Sequence, residues 1–314
     1  MSKKQRLALT EIFAHLPFTI AGDPAEQRVR MEAALTTVPL PDNVTSTPGT
    51  LGGVPVLTID AEGVDSSKVV LHFHGGVYVL GSARAGAGLA AALGRHAGMR
   101  VISVDYRLAP ENPYPAALED AVAVYRAVLE QTPASQIAAS GESAGGGLTA
   151  ALLLRLREAS LPLPTASVLL SPWVDLTLTG QSMTSKASVD PSVLTPEGLR
   201  IRVPDYLGGA DPVTPFISPI FADLTGLPRC SSKRVLTRSC STMPFASRPP
   251  PPRTTSRSRC RSPRKCHTSF KPSPPSWTRA RRRWPAQARS CAATSTTRMP
   301  YETATQSTTH HGHS

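Results

Sequence analysis

A serine flanked by glycines marks the point where a short apolar segment ends and a helix-forming segment begins. Ser143 lies between Gly141 and Gly145 in this stretch. Glycines two residues before and after a serine are typical of a sharp strand-to-helix turn, because a backbone without Cβ atoms can fold back closely. In such a turn the hydroxyl projects from the sheet, and the N–H of Ala144 at the helix start faces the place where an oxyanion would form. The pattern predicts a nucleophilic serine, although the short motif alone also fits an ordinary turn.

A second glycine-containing turn follows an apolar, β-branched segment closer to the N-terminus. His74, Gly75 and Gly76 come directly after Val69–Phe73, which has the composition of a strand. A loop with so little side-chain bulk lets its backbone approach a ligand. We therefore predict that the N–H groups of Gly75 and Gly76 complete an oxyanion hole with that of Ala144. The alternative is a buried strand followed by a simple glycine turn, and the presence of both motifs in one chain favours the functional interpretation.

Three segments together resemble the hormone-sensitive-lipase-like carboxylesterases, a family with the α/β-hydrolase fold. The segments are His74–Gly76, Tyr106–Asp120 and Gly141–Gly146, in the order found in the family. The resemblance extends from the N-terminus to about Pro228. It implies hydrolysis of small esters with short to medium acyl groups through an acyl-enzyme on Ser143, with neither metal nor cofactor.

The resemblance also suggests roles for residues around the motifs. By this resemblance, His74, Glu142 and the two glycines that flank the serine, Gly141 and Gly145, support the two motifs. Val77 departs from the family, because many members have a third glycine there, and we expect the valine to narrow the oxyanion hole. In the middle segment, we predict that Asp105 and Arg107 form a buried ion pair that braces the loop beneath the site.

Short apolar segments alternate with longer helix-forming segments between residues 69 and 170. The predicted strands are Val69–Phe73, Arg100–Val104, Ile137–Ser140 and Ala166–Leu170, and the predicted helices are Ala83–His96, Pro115–Glu130 and one from Ser143 to about Glu158. This alternation is typical of an α/β protein with a mostly parallel sheet and helices on both faces. Because catalytic groups of such sheets lie at the carboxyl ends of strands, His74 and Ser143 are expected at the same edge. The alternating pattern of Val44–Asp60 predicts two antiparallel edge strands joined by a hairpin.

By resemblance, two regions form a helical cap over the active site, at about residues 1–40 and 173–216. The first contains two segments with helical periodicity, Gln5–Leu16 and Asp23–Thr37. The alternative for these segments is a pair of ordinary surface helices. In the second region, Trp173 and Tyr206 either line the acyl pocket or pack within the cap.

The charge of the chain changes abruptly at about residue 228. The 314 residues carry a formal charge of +12, yet residues 229–314 contain 18 of the 34 lysines and arginines and only one of the 22 acidic residues. All five cysteines also lie there, and their odd number and irregular spacing predict neither a disulfide framework nor a zinc site. We divide the chain into an α/β-hydrolase domain, residues 1–228, and a basic tail, residues 229–314, that is expected to be disordered.

A serine hydrolase of this fold needs an acidic residue and a histidine after the serine. The basic tail has no apolar strands to carry them, and the domain ending at residue 228 would lack its last strands. We therefore expect the strand Ala166–Leu170 to be an uncovered sheet edge and the protein to aggregate.

The tail becomes interpretable when its codons are displaced by one base. In that frame, Arg229–Arg248 is compatible with an apolar strand, an acidic residue and the start of a helix, and Pro263–Trp277 is compatible with a turn that contains histidine. The acid would straddle the codons of Thr237 and Arg238, and the histidine those of His267 and Thr268. We infer a shift of reading frame near Pro228, so that His267 itself is not the catalytic base.

A different class of function remains open, namely a nucleic-acid-binding protein that uses its basic tail. Such a tail, with Ser256–Arg259 as its most repetitive part, would attract phosphate backbones electrostatically, without a specific nucleic-acid target. Sequence preference or a salt dependence tied to a defined site would favour this alternative, and ester hydrolysis at Ser143 would favour the esterase. The sequence has no apolar stretch typical of a signal peptide or a membrane span, which predicts a cytoplasmic protein and leaves the oligomeric state open.

Overall fold

The computed structural model describes Glu11, residues 15–180, Met183, residues 195–228 and the backbone of residues 230–233. In chain order the elements are α1 (Pro24–Leu35), β1 (Val44–Leu51), β2 (Val54–Ala61), β3 (Asp65–Phe73), α2 (Ala87–Ala97), β4 (Met99–Val104), α3 (Ala116–Leu129), β5 (Ile137–Glu142), α4 (Ala144–Glu158), β6 (Ala166–Leu170), α5 (Pro196–Leu207) and β7 (Cys230–Lys233). They belong to the compact unit Met1–Arg248, and a second unit, Pro249–Ser314, lies outside the described residues. Most of the predicted helix Gln5–Leu16 also lies outside them.

The strands form one seven-stranded sheet in the order β1-β2-β4-β3-β5-β6-β7. The hairpin β1–β2 and the pair β2–β4 are antiparallel, and all other pairs are parallel. The predictions of a mostly parallel sheet and of an antiparallel hairpin at its edge are confirmed. In the register of the sheet, Phe73 at the end of β3 lies opposite Gly141 of β5. His74 and Ser143 therefore leave the sheet at the same edge, as the alternation of strands and helices predicted.

Helices cover both faces of the sheet. Each face has its own core, because the side chains of a strand alternate between the two faces. On one face, Leu71 and Phe73 of β3 belong to a core that includes Leu148 and Leu152 of α4. On the other face, Val70 belongs to a second core with three alanines of α2, Ala87, Ala90 and Ala91. The two layers hold the central strands rigidly, and their carboxyl ends carry the motifs that the sequence singled out.

Strand β6 is not the uncovered edge that the composition of the tail predicted. It pairs in parallel with β7, from Ser167 opposite Cys230 to Leu170 opposite Lys233. The expectation was wrong because a strand is held by backbone N–H and C=O groups, which a polar segment supplies as well as an apolar one. The sheet thus continues past the boundary placed at residue 228, at least to Lys233. The remainder of the basic tail lies outside the described residues.

A buried polar row crosses the centre of the sheet, on the same face as Val70. His72 of β3 lies opposite Ser103 of β4 and Ser140 of β5. His72 is fully buried. Both of its ring nitrogens lack a hydrogen-bond partner among the described residues, as does the Ser140 hydroxyl. Burial lowers the pKa of His72 from 6.5 to about 3, with a smaller contribution from His74.

We expect His72 to make the protein less stable in mild acid. Between pH 6.5 and 3 the unfolded chain binds one proton more than the folded chain, so the stabilising effect is complete above pH 6.5 and is lost as the pH falls. The change His72→Leu should lower the slope of unfolding free energy against pH in this range by up to about 1.4 kcal/mol per pH unit. Urea unfolding at a series of pH values measures this slope.

The matched control is Ser140→Ala, which removes a polar group from the same buried row but no titrating group. It should leave the slope unchanged. An equal slope in the His72→Leu variant and the unaltered protein would contradict the prediction.

Candidate active site

Ser143 occupies a strained turn between β5 and α4. Its backbone has φ 50° and ψ −118°, a conformation that costs about 1–3 kcal/mol for a residue other than glycine. The surrounding chain holds it in place, because the Ser143 N–H donates to the carbonyl of Leu170 at 2.9 Å. Its carbonyl accepts from the N–H groups of Gly147 at 3.1 Å and Trp173 at 2.8 Å. This geometry is that of the nucleophile elbow.

The two elbow glycines are required by backbone contacts. A Cβ atom on Gly141 would lie 2.1 Å from the carbonyl oxygen of Gly145. A Cβ atom on Gly145 would lie 2.0 Å from the carbonyl oxygen of Phe73 and 2.5 Å from that of His74. The second contact joins the elbow directly to the end of β3, so the glycine lets the serine turn and the loop after β3 approach each other.

The loop after β3 leaves three consecutive N–H groups unused. Gly76, Val77 and Tyr78 have positive φ angles of 121°, 53° and 64°. The carbonyl of Gly76 accepts from the N–H groups of Val79 at 3.0 Å and Leu80 at 2.7 Å. Within the described part of the chain, the N–H groups of Gly76, Val77 and Tyr78 donate to no acceptor, and neither does that of Ala144 at the start of α4. Donors of this kind are what an oxyanion hole requires.

The structure corrects the predicted donor set at Gly75. The Gly75 N–H donates to Oε1 of Glu142 at 3.1 Å and is therefore already occupied. Burial raises the pKa of the Glu142 carboxyl, and the bond from Gly75 partly opposes this effect. The geometry thus favours Gly76, Val77 and Ala144 as donors, with Glu142 holding the first turn of the loop. The sequence signal for Val77 as a donor was its position, where many members of the resembling family have a third glycine.

Val77 also bears on the predicted narrowing of the hole. Its side chain is buried in the core cluster that contains Leu71 and Leu148. Val77 therefore contributes its backbone N–H to the candidate oxyanion hole, and not its side chain.

His74 is part of the support of the loop. Its Nδ1–H donates to the carbonyl of Gly75 at 2.7 Å, and its ring stacks on that of Tyr106 with centroids 4.3 Å apart. The Tyr106 hydroxyl donates to the carbonyl of His74 at 2.7 Å. Burial lowers the pKa of His74, which disfavours the imidazolium form. These contacts support a bracing role for His74 and not the role of a catalytic base.

The predicted ion pair between Asp105 and Arg107 is wrong. The Arg107 side chain pairs with Asp120 at 2.8 Å, and its backbone N–H donates to the same carboxylate at 2.8 Å. Asp105 accepts the N–H of Ala83 at 2.9 Å instead. The two side chains diverge because Asp105 faces the loop after β3, whereas Arg107 lies against the first turns of α3. Both contacts still brace the loop beneath the site.

The contacts of Trp173 and Tyr206 are those of core packing. Tyr206 stacks on Tyr78 with ring centroids 3.8 Å apart, and both rings are buried. The indole N–H of Trp173 donates to the carbonyl of Asp175 at 3.0 Å. Of the two alternatives raised for these residues, lining an acyl pocket or packing within the region 173–216, the observed contacts favour packing.

None of the histidines that the structure describes forms a hydrogen bond with the Ser143 hydroxyl. His72 is enclosed in the sheet and His74 in the loop support, whereas His15 and His96 are exposed and bond to carbonyls one helical turn earlier. The predicted positions of the acid and the histidine, at Thr237–Arg238 and His267–Thr268, lie outside the described residues. No group of three or more side chains able to hold a metal ion occurs within the described ranges. Among the same residues, no helix has the length and apolar character needed to cross a membrane.

The fold and the elbow together define an α/β hydrolase. Residues 70–231, which are more than half of the chain, match the family model described as alpha/beta hydrolase fold. The chain belongs to this family.

Comparisons with individual proteins agree with the resemblance seen in the motifs. An acetyl-hydrolase of Streptomyces hygroscopicus is 46% identical over 162 residues, which are 51% of this chain and 54% of that protein. An esterase of Acinetobacter venetianus is 38% identical over 192 residues, 59% of this chain and 63% of that protein. The chain therefore spans a little more than half of the length of these relatives. The crystal structure of an esterase of the bacterial hormone-sensitive lipase family superposes with a TM-score of 0.70 at 40% identity, over 74% of this chain and 79% of that one.

Proposed function

We propose that this chain carries the nucleophile and the oxyanion hole of a serine carboxylesterase. The observation that carries the proposal is the strained turn at Ser143, set beside unused N–H groups of Gly76, Val77 and Ala144. The names of the similar proteins, an acetyl-hydrolase and esterases, support the same reaction class. The substrate proposed is a small ester with a short to medium acyl group.

The reaction would proceed in two steps. The Ser143 oxygen attacks the ester carbonyl, and the carbonyl oxygen becomes an oxyanion that accepts hydrogen bonds from the three N–H groups. Collapse of this intermediate expels the alcohol and leaves the acyl group on Ser143, and water then hydrolyses the acyl-enzyme. The first step must remove a proton from the serine hydroxyl, and an imidazole oriented by a carboxylate performs this in serine hydrolases.

The acid and base of this reaction are proposed to have been displaced by the change of reading frame near Pro228. A chain that lacks both groups retains only binding and oxyanion stabilisation. Loss of the triad in a serine hydrolase lowers turnover by about a million-fold. The alternative function, nucleic-acid binding by the basic tail, concerns residues beyond those described, and no described contact favours it.

The purified 314-residue protein should therefore hydrolyse p-nitrophenyl butyrate very slowly. We expect turnover about a million-fold below that of the intact Acinetobacter esterase, measured under the same conditions. The residual rate should be nearly the same in the variant Ser143→Ala, because loss of one triad member already costs about as much as loss of all three. Turnover within about tenfold of the intact esterase would require another base, and His267 would be tested first.

A further inference from the structure

We propose that Arg28, on the cap helix α1, is a positioning residue for the oxyanion hole. The proposal rests on the function proposed above. The guanidinium of Arg28 donates through Nε to the carbonyl of Val79 at 2.7 Å and through Nη2 to the carbonyl of Ala109 at 2.7 Å. One side chain thus joins three segments: α1, the end of the loop after β3, and the segment that follows β4.

A carboxylate fixes the orientation of this guanidinium. Glu111 accepts from Nη1 of Arg28 at 3.0 Å and from Nη2 at 2.7 Å. A bidentate pair of this kind holds the planar group in one direction, so that its remaining N–H groups are aimed at the two carbonyls. The bonds from Arg28 also keep the pKa of Glu111 below its usual value, so the pair stays charged near neutral pH.

The contact at Val79 lies at the end of the turn that presents the free N–H groups. The Val79 N–H donates to the carbonyl of Gly76 at 3.0 Å, and the carbonyl of Tyr78 accepts from Ala109 at 2.9 Å. The peptide plane between Val79 and Leu80 carries both the carbonyl that Arg28 binds and the N–H of Leu80, which donates to the carbonyl of Gly76 at 2.7 Å. The carbonyl of Gly76 shares its peptide plane with the N–H of Val77, so the contact with Arg28 helps to fix the direction of this donor. Because Val77 and Tyr78 have positive φ angles, the turn would relax if these restraints were removed.

A second contact places α1 along the same loop. The Ser82 hydroxyl donates to Oε2 of Glu32 at 2.8 Å. Glu32 lies one turn after Arg28, so both contacts come from one face of the helix. The cap helix is thereby attached to the loop at Val79 and Ser82, directly after the turn that carries the oxyanion donors. A displacement of the cap helix would be transmitted to these donors through Arg28.

A simpler role for Arg28 would be to anchor the cap helix without affecting the hole. The two roles differ in what they predict for ligands. An anchor influences all ligands in similar proportion, whereas a positioning residue for the hole influences ligands with a negatively charged tetrahedral centre more than neutral ones. Ethyl propylphosphonate anion imitates the tetrahedral intermediate, and N-ethylbutyramide is a neutral ligand of the same length. Neither ligand needs the missing catalytic base in order to bind to the site.

The test is calorimetric titration of both ligands into the full 314-residue protein and its variants. We expect Arg28→Ala to weaken binding of the phosphonate about tenfold, less than the loss of a whole oxyanion donor, and to change binding of the amide by less than about twofold. Arg28→Lys keeps the charge but lacks the planar fork that binds both oxygens of Glu111 while it reaches the two carbonyls, so it should resemble the alanine variant. The matched control is Arg30→Ala, on the same helix, because Arg30 pairs only with the exposed Glu26 among the described residues and should have no effect on either ligand.

A variant at Glu111 keeps the test valid should Arg28→Ala fail to fold. Glu111 is 54% exposed, and Glu111→Ala leaves Arg28 in place without its orienting partner. We expect about threefold weaker phosphonate binding in this variant, with amide binding unchanged.

Equal weakening of both ligands, or no change in Arg28→Ala and Glu111→Ala, would overturn the proposal while the oxyanion hole itself stands. If the unaltered protein bound the phosphonate no better than the amide, the proposed function would fail and this inference with it.

Discussion

Insertion of a single base near the codon of Pro228 is expected to raise ester hydrolysis by about a million-fold. The displaced frame is compatible with an apolar strand where β7 begins, followed by an acidic residue and later by a histidine in a turn. In the repaired protein the imidazole would take the proton of Ser143, and the acid would orient the imidazole. Hydrolysis of p-nitrophenyl butyrate by the original and repaired proteins, expressed and purified in parallel, measures the gain.

The change Ser143→Ala in the repaired protein is the control for this experiment, and it should abolish the activity that was gained. A tail that had arisen as a basic module would give no reason for a hydrolase ending in its other frame. An early stop codon in the repaired frame, or a well-folded repaired protein without esterase activity, would therefore contradict the frameshift. Sequencing the nucleotides around the Pro228 codon gives an independent answer.

Replacement of Gly145 by alanine should prevent stable folding of the elbow. The new Cβ atom would lie 2.0 Å from the carbonyl oxygen of Phe73 and 2.5 Å from that of His74, and neither backbone atom can move aside without disrupting β3 or its loop. We expect a loss of more than about 4 kcal/mol of unfolding free energy, which is a large part of the roughly 5–15 kcal/mol of an ordinary domain. Urea unfolding followed by circular dichroism measures the loss.

Gly88→Ala is the matched control, since Gly88 also lies in the first turn of a helix, α2. A Cβ atom there meets nothing within 4 Å. Because alanine favours a helix over glycine, this variant should be equal in stability or gain up to about 1 kcal/mol. Similar stability of the Gly145→Ala and Gly88→Ala variants would mean that the elbow is looser than the contacts at Gly145 indicate.

Much of the architecture was predictable because it depends on patterns within short stretches of chain. The alternation of apolar strands and helical segments indicated the parallel sheet, and the alternating pattern of Val44–Asp60 indicated the hairpin. The elbow was predictable for the same reason, since the close contact between Gly141 and Gly145 occurs within a single turn. The carboxyl-end rule for parallel sheets then placed Ser143 and His74 at one edge without any knowledge of side-chain positions.

Side-chain partners were harder to predict, because they depend on which distant segments meet. Glu142 and Gly75 are 67 residues apart, and their hydrogen bond changes which N–H groups are available to an oxyanion. Arg107 pairs with Asp120 and not with the nearby Asp105, because α3, which carries Asp120, packs against Arg107. The prediction from composition that β6 is an uncovered edge was also wrong, because backbone pairing with β6 was sufficient to form the strand β7 from polar residues.

Arg28 is the clearest case of a residue that no sequence motif marked. In the sequence it is one charged residue on an amphipathic helix, where solvation is the ordinary outcome. Its carbonyl partners, Val79 and Ala109, lie 51 and 81 residues away. Backbone carbonyls are present at every position, so no residue type announces that a distant arginine will bond to them. Local sterics and periodicity therefore specify the elbow and the sheet, whereas the support of the oxyanion loop arises only when α1, the loop after β3 and the segment after β4 pack together.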